Sequence, residues 1–150
     1  MTTRELTTAH GHWLWLAGAA FAARVVAQPA ARLTGWSWLP PFAAWQSGAL
    51  PYAWLLAAQI AILAWMARTA WLVSHDAERR DRGRGRLVGI AAALYGAVML
   101  TRLALGLTAF AGHWWLDAPL PTIFHLVIAS YLAIYAHYHW RVHPPLRSQR

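Results

Sequence analysis

Eight histidines, five carboxylates and thirteen basic residues, all arginine, are the side chains of this 150-residue chain best equipped for chemistry. Their clearest spacing falls between Pro121 and His143. His125, Ala129, Leu132, Ala136 and His139 follow steps of four, three, four and three, so on a helix they form one stripe. His125 and His139 then stand about 21 Å apart along the axis, and the alanines between them leave room for a flat ring. Two imidazoles at opposite depths suit axial ligation of tetrapyrroles. A second group gathers His10, His12, His75, His137, His139 and His143 with Asp76 and Glu78. Imidazoles and carboxylates in that number can hold Zn or non-haem Fe, with His12, His75, His137, His139 and His143 as the ligand set. A single imidazole would also hold the magnesium of a chlorophyll-type pigment. Lysine and cysteine are absent. That excludes lysine Schiff bases, thiolate nucleophiles, cysteine-bound iron–sulfur clusters, covalent c-type haem and disulfides.

The elements that position these residues are apolar. The chain is 59 % hydrophobic and 12 % charged, against about 25 % charged in an ordinary soluble domain. Four stretches, at about 13–28, 51–74, 87–110 and 121–140, meet or approach the roughly 20 apolar residues that span a bilayer. The first is shortened by Arg24 and Pro29, and Glu5 and Arg24 fit a signal peptide poorly. Arg79, Arg80, Arg82, Arg84 and Arg86 separate the second and third stretches, Arg141, Arg147 and Arg150 follow the fourth, and Arg4 precedes the first. The opposite side carries only Arg32. Basic residues in short loops stay in the cytoplasm, so both termini are expected there. The expected fold is an all-α integral membrane protein: one domain, a four transmembrane helix bundle, N-in/C-in. Trp36, Trp38 and Trp45 would form a Trp-rich interfacial segment in the first outer loop. The positive charge, with a pI near 11.3, fits anionic lipid headgroups, and no nucleic acid partner is expected.

Ionisable groups at membrane depth usually face protein or a cavity. Counting along each helix, Arg24 lies roughly 16 Å from the cytoplasmic end, Arg102 roughly 22 Å from it, and Gln59 roughly 10 Å from the outer end. His125 lies near the outer end of the last span. These four share a layer and can serve as cofactor-binding residues for an anionic or quinone-like head group, whose oxygens need donors. Arg102 shares a stripe with Tyr95 and Gly106, so it is expected to face inward. Alternatively, Arg24 and Arg102 snorkel outward or pair with Asp117.

The H-x13-H spacing of His125 and His139 resembles that of transmembrane b-type cytochromes. The chain also resembles the prokaryotic cytochrome b561 type of four-helix protein on two helices, where His12-Trp13 opens the first span and His125 and His139 stand on the last. That family's second-span histidine has no counterpart here. The resemblance implies a b-type haem; His12, His75, His137 and His139 are expected near one plane at the cytoplasmic side, where His12 and His139 can bridge one haem with His137 beside them.

The function expected from these readings is a membrane subunit in electron transfer. It would bind a b-type haem and/or a quinone and dock to a larger membrane redox complex or form a homo-oligomer, in the bacterial inner membrane by its arginine bias. One rival is a non-catalytic assembly or scaffold subunit, held through the small residues Gly89, Ala93 and Gly96. A metal-dependent membrane enzyme built on the histidine cluster and a pigment binder are the others.

Overall fold

A helix satisfies its backbone internally, which is what an apolar segment without water requires. In the computed structural model, which describes residues 3–45, 50–109, 112–113 and 115–141, each apolar stretch forms one. The elements are α1 (Thr3–Thr34), a short 3-10 helix (Phe42–Trp45), α2 (Tyr52–Ser74), α3 (Arg82–Leu107) and α4 (Pro119–Arg141). All four long helices are long and apolar enough to cross a membrane. No strand occurs among the described residues.

Three boundaries differ from the sequence expectation, one being the start of α1, which lies at Thr3 and not near residue 13. The first helix does not stop before Pro29 but runs through it to Thr34. Proline removes one backbone N–H, a loss that membrane helices tolerate where neighbouring groups re-satisfy the freed carbonyl. The third helix starts at Arg82, so the glycine-arginine run expected as loop forms its first turn. Asp81 is the reason: its carboxylate accepts the amides of Gly83 (2.7 Å) and Arg84 (3.2 Å), capping donors that have no partner inside the helix. The expected end at Phe110 lies outside the described residues.

Neighbouring helices pack in the order α2, α1, α4, α3, with α1 and α4 in the middle. Leu14, Phe21 and Val25 of α1, Met66, Ala70 and Val73 of α2, and Tyr131, Tyr135 and Tyr138 of α4 form the core. The backbones of α2 and α4 stay apart, and Tyr131 spans the gap. Its hydroxyl donates to the Met66 carbonyl (2.7 Å) and meets the Thr69 hydroxyl at 2.5 Å.

Small residues let α3 and α4 approach closely. A Cβ at Gly85 would stand 2.7 Å from the Cβ of His139, one at Gly89 3.0 Å from the Trp140 ring, and one at Gly96 3.7 Å from the Cβ of Ala129. The glycines proposed for contact with a partner protein are thus occupied by α4 of the same chain, while Ala93 is exposed.

Polarity is distributed as lipid solvent demands. Arg24, Gln28, Gln59, Thr69, Arg102 and His139 are buried, whereas Leu33, Trp54, Leu87, Leu94 and Leu107 are exposed.

Candidate functional site

At the end of the bundle where α1 begins and α4 finishes, the arginine-rich loop is tied down. Arg80 donates to the Thr7 hydroxyl (2.8 Å) and to Asp76 (2.7 Å), and its guanidinium lies over the Tyr138 ring. Tyr135 and Arg84 both donate to the Glu78 carboxylate at 2.8 Å. The Asp81 amide donates to His139 Nδ1 at 3.0 Å.

That last bond decides the chemistry of His139. A backbone N–H can only donate, so Nδ1 is the acceptor and the neutral ring carries its proton on Nε2. Neither nitrogen is then open to a metal, since Nε2 carries the proton and the Nδ1 lone pair accepts the Asp81 amide. His139 is fully buried, and its Nε2 has no partner among the described residues.

The other histidines do not complete a ligand set. His12 is exposed on α1. It is His10, two residues earlier and therefore on another side of the helix, that meets α4 in a shared hydrogen bond with His137 (2.8 Å). His75 is exposed, with Nδ1 at 2.8 Å from the Trp71 carbonyl. His143 lies outside the described residues. Among the described residues, no group of three or more histidine, aspartate or glutamate side chains is placed to hold a metal ion.

At the opposite end, sequence depth and structure meet. Phe21 and Arg24 of α1, Leu55, Gln59 and Ile62 of α2, and Phe124 and His125 of α4 line a cavity of about 180 Å³. Arg24 is 5 % exposed. Its Nη2 donates to the Trp45 carbonyl (3.0 Å), its Nη1 to Gln28 Oε1 (3.4 Å), and it lies 5.4 Å from the Phe124 ring centre. Gln59 Nε2 donates to the same Gln28 oxygen at 3.3 Å. The Tyr95 hydroxyl stands 2.6 Å from His125 Nδ1, leaving Nε2 as the nitrogen free for other contacts. Trp45 stacks on Phe124 at 6.2 Å and donates its indole N–H to the Pro40 carbonyl, so the 3-10 helix rests on α1 and α4 beside the cavity. Trp36 and Trp38 stack on each other and stay exposed.

Arg24, Gln59 and His125 therefore converge, and Arg102 does not join them. Arg102 is buried on α3, as its stripe predicted, but its Nε (3.1 Å) and Nη2 (2.7 Å) donate to the Trp115 carbonyl, and the guanidinium covers the Trp115 ring at 4.4 Å. Asp117 takes neither arginine; it accepts the Gly112 amide at 2.7 Å. The ion pairs of Arg80 with Asp76 and of Arg84 with Glu78 lie at the other end. The cavity thus keeps a positive charge met by carbonyls and a ring face, a setting that favours an oxygen-bearing guest.

Comparison of the chain with protein-family models, with curated proteins and with solved structures finds no match. Its chemistry is therefore read from the site alone. A haem held between His12 and His139 does not fit these residues, for the tautomer and exposure reasons given. A tetrapyrrole on His125 does not fit either, because the cavity lies below the roughly 300 to 1,000 Å³ typical of sites for larger ligands. One ring does fit, since a cavity of about 150 Å³ accommodates benzene.

Gln28 and Trp45 are the site residues that sequence reading missed. Gln28 carried a signal, as it sits four residues after Arg24 and on the same face. Trp45 carried none, because nothing in the spacing says where a loop carbonyl will point.

Proposed function

We propose that the chain is a bacterial inner-membrane protein with both termini in the cytoplasm, and that its cavity between α1, α2 and α4 holds the carbonyl-bearing ring of a quinone for a larger electron-transfer complex. The observation that carries this reading is the convergence of Arg24, Gln59 and His125 on one ring-sized cavity. A bound quinone would supply two-electron, two-proton redox chemistry. The chain's own residues do the rest. Arg24 offers N–H donors to a ring oxygen, His125 offers a ring nitrogen held in orientation by Tyr95, and Phe21 and Phe124 flank the ring and exclude water. The gap between the α2 and α4 backbones gives a tail a way out to the lipid, and Tyr131 closes that gap deeper in the bundle. Among the described residues the histidines hold no redox centre in this reading, and electrons would pass to and from a partner protein.

The test is solvent extraction of the chain purified from its native membrane, with quinone measured by chromatography. Close to one quinone per chain is expected, with a large loss in Arg24→Leu. A preparation without quinone, or one whose reduced-minus-oxidised spectrum shows a haem band, overturns the reading.

A further inference from the structure

The hydrogen-bond chain beneath the cavity has a fixed polarity. Arginine can only donate, so Arg24 Nη1 requires Gln28 to turn its Oε1 toward it. That oxygen also faces Gln59, which must therefore present its NH2 group. Reversing Gln28 would set donor against donor, and reversing Gln59 would set acceptor against acceptor. Gln59 Oε1 is left as a buried acceptor without a partner among the described residues, on a side chain that is 4 % exposed and lines the cavity. A buried acceptor with no donor is costly, so it calls for a hydroxyl or N–H from the guest.

The two redox forms of a quinone differ in that respect. The oxidised ring carries only acceptors and leaves Gln59 Oε1 bare. The reduced ring carries hydroxyls, and one of them can donate to it. We propose that the cavity discriminates by redox state, holding the quinol in preference to the quinone, with Gln59 Oε1 as the atom that reads the hydroxyl. This rests on the quinone reading of the cavity given above. Gln28 is then a positioning residue: it orients the Gln59 amide and takes that orientation from Arg24.

The full-length chain in lipid nanodiscs, kept anaerobic, is titrated with a short-tailed dimethoxybenzoquinone and separately with its quinol, and tryptophan quenching gives each Kd. Quinol is expected to bind about tenfold tighter or more, the usual penalty for leaving a buried acceptor unpaired. Gln59→Met should bring the ratio of the two constants close to one. Gln28→Met, which frees the Gln59 amide to turn, should weaken it with Gln59 intact. Equal binding of both forms by the unaltered chain overturns redox discrimination but leaves the quinone reading standing, whereas binding of neither form overturns the quinone reading itself. A preference that survives in folded Gln59→Met overturns the role of Gln59.

Discussion

A guanidinium inside a membrane helix costs about 2.5 kcal/mol or more on insertion scales, and both buried arginines offset that with a tryptophan main-chain carbonyl from outside the four long helices. Arg24 takes Trp45 and Arg102 takes Trp115. The difference between them is what else they reach, because only Arg24 lines the cavity. Arg24→Leu should lower quinone retention about tenfold or more, the worth of a charge-assisted hydrogen bond, while Arg102→Leu should retain the quinone; extraction of both variants decides. The depth of Arg24, Gln59 and His125 was legible because depth is a count along a helix. The departure of Arg102 was not, because it depends on where a loop carbonyl falls. At the other end, Asp81 carries a pH dependence. The Arg84 and Gly83 amides that it accepts hold its carboxyl below the usual range. A depressed native pKa means that the cap stabilises above the unfolded value near about 3.9 and is lost as pH falls through the native one. Amide-exchange protection at Gly83 and Arg84 should therefore be intact at about pH 6 and decline as the pH is lowered through the native value, and Asp81→Ala should lack it throughout.

At the scale of elements, glycines separate positions where a helix has room from positions where it has none. A Cβ at Gly106 would run into the Leu116 carbonyl, a backbone atom that cannot swing aside, whereas one at Gly18 meets nothing within 4 Å. Gly18→Ala should stabilise by about 0.5 to 1 kcal/mol through lost chain entropy. Gly106→Ala should destabilise and shift the loop after α3. Denaturation of both variants in mixed micelles measures the contrast, and equal effects would mean that α3 and the loop are not in close contact. Tyr131 tests the α2–α4 tie in the same assay. Tyr131→Phe removes the hydroxyl between Met66 and Thr69, at an expected cost of about 0.6 kcal/mol and at most about 1.7, the average and maximum found for interhelical hydrogen bonds in a membrane protein. The four helices were legible because a run of apolar residues has one solution in lipid. Their neighbours were less so: Gly89 and Gly96 read as a packing face, yet nothing in their spacing says that α4 is what packs there.

For the whole molecule, charge and topology meet at one end. Four helices joined in sequence, with α1 against α2 and α3 against α4, bring the start of α1, the 75–81 loop and the finish of α4 together, and Arg80 to Thr7, His10 to His137 and Asp81 to His139 are the contacts that join them. The arginines at 79, 80, 82, 84 and 86 are therefore concentrated at a single end, while the cavity lies toward the other. Because arginine-rich short loops resist translocation, that end should face the cytoplasm. The chain has no cysteine, so single cysteines report orientation without background. Ser37→Cys, in the exposed segment after α1, should react with an impermeant maleimide on intact cells, and Ala77→Cys, exposed in the arginine-rich loop, should react only after lysis. The reverse pattern would place the cavity in the cytoplasmic half of the bilayer. A redox partner drawing on a quinol held there would then have to dock at the cytoplasmic face, where the tryptophan-rich segment would stand, rather than at the outer one.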